Sequence, residues 1–384
     1  MGKLDLYQIS KEAAALAEAW QSRADELMER SEQTFQNQMS SLLRHPIDKV
    51  VLTQLIDQAF RSSSHHRVAD QVIFTLQDRE IPAFFTQWER VLVRLFLRFG
   101  QTFANLSVPG IVRKMRDFSS QAILPGESAP LSRYLKKRKA QGIRINVNQL
   151  GEAVLGEAEC KTRLDGYVRD LENPEIEYIS VKISTIYSQI HSLAFRSTVE
   201  TLKERLSLLY RTARQNRFTR SNGEQVPKFV NLDMEEYRDL EITMVAFMET
   251  LDSPEFNDYQ AGIVLQAYLP DSSSIQKNLT EWAIQRVKKG GNPVKLRIVK
   301  GANMEMEMVD SEINNWPLAT YDTKTDVDAN YKRMVIYGMN EANVKAVHLG
   351  IASHNLFELA FAFTLATRQK VLSYIDFEML EGMA

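Results

Sequence analysis

The chain shows two patterns of apolar and polar positions, and the change between them comes near residue 140. From Ile143 onward, short apolar and β-branched runs alternate with longer amphipathic segments. The short runs predict strands, and segments such as residues 197–215 predict helices. The seven candidate strands occupy residues 143–149, 178–184, 228–234, 262–268, 294–300, 347–353 and 370–380.

This alternation determines the predicted fold class. Strands that are apolar along their whole length predict a parallel sheet with helices on both faces. The even recurrence of the units favours an α/β fold of the (β/α)8 TIM-barrel type over an open doubly wound sheet. The sequence contains neither GxGxxG after the first strand nor GxxxxGK[ST], which argues against Rossmann and P-loop folds.

The number of predicted strands is one short of a closed barrel. Closure requires an eighth strand that pairs with both the first and the seventh. The candidate strands number seven when the sequence stops. We therefore expect a barrel that is incomplete at its C-terminus, truncated before the last barrel strand and helix.

The residues before about 120 predict helices alone. Residues 9–39 place apolar side chains at three- and four-residue spacing, without Pro or Gly. Pro125, Gly126 and Pro130 then indicate a linker. We expect a helical arm and α-domain over residues 1–121, a linker over 122–142 and the barrel over 143–384.

Composition restricts the partners and the location of the protein. The 384 residues are 44% hydrophobic and carry a net charge of −2, with a single cysteine, Cys160. This charge gives no reason to expect a nucleic-acid partner, and one cysteine excludes a disulfide framework. No apolar run approaches the ~18 residues that span a bilayer. We expect a soluble, cytoplasmic protein.

The carboxyl ends of the predicted strands carry the candidate chemistry. In VKLRIVKGA (294–302), Arg297 and Lys300 lie at or near the end of a strand that is otherwise buried. A buried cation requires an anion, which is either a negatively charged ligand or a carboxylate from a neighbouring strand. Further strand ends contribute Lys182, Asp233, Glu235, Gln266, Tyr268, His354 and Asn355. Because active sites of such barrels lie at this end, a common site is favoured over scattered ion pairs.

Several of these residues also have a purely structural interpretation. Lys182 could pair with Asp233 and serve packing alone, and Asp233 could be the structural partner of Arg297. His354 could be a core imidazole that is hydrogen-bonded to a backbone carbonyl. The sequence leaves these alternatives open.

As a set, these residues closely resemble the proline dehydrogenase family. The resemblance rests on Lys182 in SVKIS, Asp233 in LDMEEY, Gln266 in LQAY, RIVKGA at 297–302 and SHN at 353–355. It is strongest to the bifunctional bacterial members, in which the proline dehydrogenase is joined to an L-glutamate γ-semialdehyde (aldehyde) dehydrogenase domain. The match runs from about Ile143 to Met383 and includes LGEA at 150–153.

The resemblance implies a (β/α)8 barrel that holds FAD and oxidises L-proline to 1-pyrroline-5-carboxylate, the first step of proline catabolism to glutamate. It implies electron transfer to a membrane quinone, with at most peripheral contact at the inner face of the membrane, and no metal. It assigns catalysis to Lys182, Asp233 and Arg297, and substrate contacts to Lys182, Asp233 and Leu380. It assigns FAD contacts to Asp233, Met234, Gln266, Arg297, Val299, Lys300, Gly301, Ala302, Met304, Lys324, His354, Asn355, Glu378 and Leu380.

The sequence departs from the family pattern in several places. Asn303-Met304 replaces an aromatic pair, and Asn148 stands where a carboxylate is common. The family's double arginine, which clamps the proline carboxylate, would lie beyond the last residue. We expect Met304, Met306 and Met308 to fill gaps in the core or to line the flavin, rather than to bind a metal.

Two alternative functions remain at this stage. The first is a lyase or aldolase barrel that uses Lys182 or Lys300 as a Schiff-base nucleophile. The second is a catalytically impaired fragment whose open barrel edge recruits other chains.

Overall fold

The computed structural model describes residues 5–28, 32–34, 36, 37, 40, 44–57, 59–77, 79–83, 85–119, 124, 126–149 and 154–381. LGEA at 150–153 lies outside the described residues. The chain divides into two compact units, Met1–Glu18 with Glu127–Met379 and Ala19–Gly126 with Leu380–Ala384. The domain boundaries expected from the sequence stay predictions, although residues 128–140 of the expected linker form a helix.

The second unit is helical, as its apolar spacing predicts. Helix α1 (Leu6–Leu27) contributes to both units and is followed by α2 (Pro46–Asp57), a 3-10 turn (Ala59–Arg61), α3 (His65–Leu76), α4 (Gln87–Phe99) and α5 (Ala104–Ser119). Apolar stripes of α2 to α5 meet in a core that includes Val51, Leu55, Val72 and Phe96. No helix in the described part of the chain is long and apolar enough to cross a membrane.

The first unit alternates strands and helices. Its elements are α6 (Ser128–Ala140), β1 (Asn146–Asn148), α7 (Glu157–Glu172), β2 (Tyr178–Lys182), α8 (Ile183–Ile186), α9 (Phe195–Gln215), β3 (Arg217–Thr219), β4 (Gln225–Pro227), β5 (Phe229–Asp233), α10 (Leu240–Leu251), β6 (Gly262–Gln266), α11 (Ser272–Lys288), β7 (Val294–Val299), α12 (Met304–Asn314), α13 (Lys324–Gly338), α14 (Glu341–Val344), β8 (Val347–Ala352), α15 (Leu356–Gln369) and β9 (Ile375–Glu378). Short 3-10 helices occur at Ser192–Ala194, Tyr237–Asp239, Pro254–Phe256 and Leu372–Tyr374.

One parallel sheet organises this unit. It has seven strands in the order β1-β2-β5-β6-β7-β8-β9, and each strand pairs in parallel with the next. The sheet is curved, because Arg297 on β7 donates a hydrogen bond to Tyr178 on β2 across the interior. The fold is a partial (β/α)8 barrel, so the predicted fold class is confirmed. Within the described residues, β1 pairs only with β2 and β9 only with β8.

The hairpin of β3 and β4 was not predicted from the sequence. These strands pair antiparallel, with Phe218 opposite Val226. Asn222-Gly223 lies in their turn, and Gly223 has a φ of 85°, a conformation that glycine adopts without strain. Each strand is three residues long, which is too short to produce a recognisable periodicity.

The prediction of strands that are apolar on both faces holds only for the outer face. Alternate side chains of a strand point to opposite faces of the sheet. The outward set is fully buried against the helices and consists of Ile179, Val181, Val230, Leu232, Ile263, Leu265, Leu296, Ile298, Leu349 and Ile351. The inner set is wrongly predicted, because it is largely polar and includes Tyr178, Ser180, Asn231, Asp233, Lys295, Arg297 and Glu378.

Asp239, which immediately precedes α10, gives the fold a testable pH dependence. Burial raises the pKa of its carboxyl to about 6. In an unfolded chain the pKa of an aspartate is about 3.9. The protonated Asp239 carboxyl therefore stabilises the folded state fully below about pH 3.9, and this stabilisation is lost as the pH rises through about 6.

We therefore expect Asp239→Asn to be more stable than the unchanged protein near neutral pH, by about 1–2 kcal/mol, with a smaller difference near pH 4.5. Urea unfolding at both pH values measures this. Asp165→Asn, at an exposed position of α7, is the matched control. A gain that is the same at both pH values would contradict the assignment.

Candidate active site

Arg297 of β7 lies inside the barrel, at the centre of a hydrogen-bond network that joins several strands. Its Nη1 donates to Asp233 Oδ1 of β5 at 2.9 Å, and its Nε donates to Glu378 Oε2 of β9 at 2.7 Å. Its Nη2 donates to the hydroxyl of Tyr178 on β2 at 2.7 Å. The side chain is only 11% exposed, so its charge depends on the two carboxylates for compensation.

Asp233 accepts further hydrogen bonds from its own strand and from β1 and β2. Its Oδ1 accepts from Ser180 Oγ at 3.1 Å and from Asn231 Nδ2 at 2.8 Å, and its Oδ2 accepts from Asn148 Nδ2 at 3.0 Å. Asn148, the departure from the family pattern, therefore supplies a donor where a carboxylate would repel Asp233. These contacts fix the orientation of Asp233 toward Arg297.

The electrostatics keep Arg297 charged and Tyr178 neutral. Burial disfavours the guanidinium charge, but Tyr178, Glu378 and Asp233 outweigh burial and raise the pKa of Arg297 above its ordinary value. Burial, assisted by the Glu378 carboxylate, raises the pKa of the Tyr178 hydroxyl. Burial also raises the pKa of Asp233, against the opposing effect of Arg297.

Glu378 connects Arg297 to a second buried cation. Its Oε1 lies 2.7 Å from Lys295 Nζ, while its Oε2 accepts from Arg297. Lys295 also donates to Asp376 Oδ2 at 2.6 Å. The barrel interior thus contains two layers of charge along β7 and β9.

Lys182 lies at the rim of the barrel, and its partner differs from the expected one. Its Nζ lies 2.9 Å from Glu235 Oε1, so the prediction of a pair with Asp233 is wrong. Ser184 Oγ donates to the other oxygen of Glu235. The loop after β5 bends the Glu235 carboxylate toward Lys182, which a strand-by-strand analysis of the sequence could not show.

Gln266, at the end of β6, has an unused acceptor. Its Nε2 donates to the backbone carbonyl of Glu235 at 3.0 Å, which holds the side chain at the mouth of the barrel. Its Oε1 is buried and has no hydrogen-bond partner in the described structure. A buried acceptor without a partner at a strand end indicates a position where a ligand donor binds.

Lys300 and Gly301 follow β7 and form the wall of the mouth next to α13 and α15. Lys300 Nζ pairs with Asp328, and its distance to Glu358 Oε1 is 3.4 Å. Gly301 has a φ of 125°, and a Cβ at this position would lie 1.6 Å from the ring of Tyr268. Only glycine therefore fits this position.

The remaining predicted site residues lie at the ends of elements or on the surface. Met234 is buried, Val299 and Met304 are half-buried, and Ala302, Lys324, His354 and Asn355 are exposed. Lys324 is the first residue of α13, and Asn355 caps α15 by accepting from the backbone N–H of Phe357 at 2.9 Å. Leu380 is exposed and belongs to the second unit.

Two structural interpretations of single residues are wrong, and one is confirmed. His354 is exposed, so it is not a core imidazole. Met306 and Met308 are exposed on α12, a helix without buried residues, so they do not fill the core. The ion pair of Arg297 with Asp233 is present, as the sequence analysis allowed.

The sequence analysis missed Tyr178 and Ser180, which accept from Arg297, and Asn231 and Lys295, which contact its carboxylate partners. The available signal was the alternation of strand residues, because Lys295 and Arg297 are two positions apart and share a face. The many apolar residues in these strands made them look apolar on both faces and so hid this alternation. Among the described residues, no group of three or more His, Cys, Asp or Glu side chains could hold a metal ion.

The comparisons with known proteins support the fold and show the family. The sequence profile described as proline dehydrogenase matches residues 131–384. The bifunctional protein PutA of Klebsiella aerogenes is 24% identical over 317 residues, which are 78% of this chain and 22% of that protein. The proline dehydrogenase of Deinococcus radiodurans is 25% identical over 218 residues, 56% of this chain and 57% of that protein.

Solved structures of proline utilization A proteins also resemble this chain. Proline utilization A from Bdellovibrio bacteriovorus, inactivated by N-propargylglycine, matches with a TM-score of 0.78 and 25% identity, over 99% of this chain and 38% of that one. Proline utilization A from Corynebacterium freiburgense matches with a TM-score of 0.65 and 42% identity, over 75% of this chain and 29% of that one.

The chain therefore spans only 22% of the length of the Klebsiella aerogenes protein. The family profile, in contrast, covers well over half of this chain, including every strand of the barrel sheet. The chain belongs to the proline dehydrogenase family.

Proposed function

We propose that this chain catalyses the FAD-dependent oxidation of L-proline to 1-pyrroline-5-carboxylate and passes the electrons to a membrane quinone. The observation that carries the proposal is the buried Arg297 guanidinium between Asp233 and Glu378, at the end of the sheet where barrel enzymes place their chemistry. Membership of the family supplies the reaction class. Because relatives are named bifunctional, we further propose an aldehyde dehydrogenase domain in the full-length protein.

The residues at the mouth suit a flavin. Gln266 Oε1 is a buried acceptor without a partner in the described structure, so it can receive an N–H of a bound ring. Arg297 and Lys300 supply positive charge, and Gly301 lets the backbone approach a ligand closely. The residues proposed to hold FAD beside these are Asp233, Met234, Val299, Ala302, Met304, Lys324, His354, Asn355, Glu378 and Leu380.

The ends of two helices suit the phosphate groups of this cofactor. Lys324 begins α13, and Asn355 caps α15 directly after His354. The amino end of a helix carries partial positive charge and free N–H groups, which favour anions. This supports the proposed contacts of Lys324, His354 and Asn355.

When bound, FAD supplies the acceptor for the two electrons that leave proline as a hydride. Arg297 would supply a fixed positive charge to the ring that accepts these electrons. Because the Arg297 side chain keeps its proton and is fixed by three strands, it stabilises the developing charge without reorganisation.

Lys182 and Asp233 are proposed to hold the substrate. Lys182 is partly exposed at the rim, where its ammonium group can pair with the proline carboxylate. Asp233, directly opposite Lys182 in the register of β2 and β5, can pair with the substrate nitrogen. Leu380 is proposed to pack against the proline ring.

The alternatives from the sequence analysis receive less support. Lys182 pairs with Glu235 and Lys300 with Asp328, and a Schiff-base nucleophile must instead be free of its proton. A catalytically impaired fragment that associates through an open barrel edge stays a prediction, which size-exclusion chromatography checks.

We also propose that the protein is cytoplasmic and contacts the inner face of the membrane through α4. Trp88, Leu92, Leu95 and Phe99 lie on one side of this helix at helical spacing and are 81%, 63%, 52% and 46% exposed. Arg94 and Arg98 are exposed on the same helix. An exposed apolar stripe beside arginines suits the surface of a bilayer with anionic lipids, where a quinone is within reach.

The first prediction tests the reaction itself. The purified protein reconstituted with FAD should be yellow, and L-proline should bleach its flavin absorbance. Arg297→Ala should reduce FAD affinity and proline-dependent bleaching by about 100-fold or more, because a charge-assisted site is lost.

The exposed lysine of α6 provides the control for this experiment, since Lys137→Ala should leave both quantities unchanged. Thermal melting of each variant separates lost binding from lost folding, and Arg297→Lys, which keeps the charge, serves as the second variant. A colourless wild-type protein, or equal effects of the Arg297 and Lys137 substitutions, would contradict the proposal.

The second prediction separates substrate binding from cofactor binding. Lys182→Met should raise KM for proline by about 10- to 100-fold, since one charged hydrogen bond to the carboxylate is lost. FAD affinity, measured by fluorescence titration, should stay within about twofold. A loss of FAD affinity with an unchanged KM would assign Lys182 to the cofactor instead.

The third prediction tests the membrane contact. The protein should float with vesicles that contain phosphatidylglycerol and not with phosphatidylcholine vesicles. Trp88→Glu combined with Leu92→Glu should weaken this binding by at least about tenfold, because two apolar side chains lose their burial in lipid. Leu193→Glu, at a leucine outside α4 that is 92% exposed, should not. Equal binding of all variants would refute this role of α4.

A further inference from the structure

Lys295 is a buried cation that neither the family resemblance nor the reaction assigns to the site. It lies on β7 two residues before Arg297, so both side chains point into the barrel interior. Its side chain is 7% exposed. Burying a lysine costs free energy unless nearby carboxylates pair with its ammonium group, so the partners of Lys295 indicate its role.

The partners of Lys295 lead directly to Arg297. The Glu378 carboxylate lies between the two cations, with Oε1 2.7 Å from Lys295 Nζ and Oε2 2.7 Å from Arg297 Nε. Lys295 Nζ also lies 5.3 Å from the centre of the Tyr178 ring, whose hydroxyl accepts from Arg297. Lys295 thus contacts two of the groups that position the Arg297 guanidinium.

The balance of charge around Arg297 depends on Lys295. Arg297 alone faces two carboxylates, Asp233 and Glu378, which leaves one negative charge in excess. Lys295 neutralises that excess. Its other partner, Asp376, is 46% exposed and also lies 3.7 Å from Arg144, so water and a second cation reduce its influence.

Gly350 provides independent evidence that the barrel accommodates this pair. Gly350 of β8 is opposite Arg297 in the register, and a Cβ there would lie 2.3 Å from Glu378 Oε1 and 3.1 Å from Lys295 Cε. A larger residue would displace the Glu378 carboxylate from its place between the two cations. The space left by this glycine is filled by the Lys295–Glu378 pair.

We propose that Lys295 is a positioning residue that neutralises Glu378 and so leaves the positive charge of Arg297 available to the electron acceptor at the mouth. This inference rests on the proposed function and extends it. With Lys295 in place, Lys295 and Arg297 balance Asp233 and Glu378, while Asp376 is shared between Lys295 and Arg144. Without it, the uncompensated Glu378 opposes Arg297 where negative charge develops.

The test is a cycle of Lys295→Met, Glu378→Gln and the double variant, with the full chain reconstituted with FAD. We expect Lys295→Met to shift the flavin midpoint potential to more negative values and to slow bleaching by proline at least about fivefold. The KM for proline should change little, because Lys182 and Asp233 are untouched. Glu378→Gln should shift the potential in the opposite direction, and the double variant should lie near the wild type.

A purely structural role makes a different prediction. Loss of packing would lower the melting temperature of both single variants and would move their potentials in the same direction or not at all. The double variant would then be the least stable, without recovery of the potential. Lys345→Met, which breaks an exposed pair with Glu341, is the matched control and should leave the potential unchanged.

The outcomes distinguish the two proposals. If the wild type binds FAD and is bleached by proline while Lys295→Met keeps its potential, the role of Lys295 is refuted and the proposed function stands. The same holds if both single variants shift the potential in one direction. A wild type that binds no FAD or is not bleached overturns the proposed function and this inference together.

Discussion

The structure of this barrel depends on a guanidinium that is buried between carboxylates. Removing a charge from water costs several kcal/mol, and removing one partner of a buried pair leaves the other uncompensated. Arg297 is tolerable in the interior because Asp233 and Glu378 come from strands on either side of it. These strands must keep their register for the network to form. The requirement that positions this cation therefore also constrains the packing of the sheet.

The two faces of the strands carry different kinds of residues. Fully buried aliphatic side chains on the outer face, such as Leu296 and Leu349, supply the apolar burial that stabilises the barrel. The inner face carries polar and charged groups, and hydrogen bonds between β2, β5, β7 and β9 hold several of them in place. Gly262 and Gly350 make room for this network, since a Cβ at either would collide with Asn231 or Glu378. The residues that stabilise the barrel and those of the proposed site thus lie on opposite faces of one sheet.

The ion pairs at strand ends and the proposed ligand site are compatible interpretations. Lys182 pairs with Glu235 and Lys300 with Asp328, yet both lie at the mouth of the barrel and are partly exposed. Such pairs hold a cation in place before a ligand arrives, which reduces the cost of ordering it on binding. The sequence posed these interpretations as alternatives because it could not show that one residue serves both.

The sequence by itself determined the alternation of strands and helices, the helical N-terminal region and the set of strand ends that carry charge, because periodicity and residue type are local properties. Only the tertiary structure decided which side chains face each other. It paired Lys182 with Glu235, placed Glu378 between Lys295 and Arg297, and formed the hairpin of β3 and β4. The physical reason is that register and curvature bring together residues that are distant in the chain, such as Tyr178, Arg297 and Glu378, and local patterns carry no information on such distances.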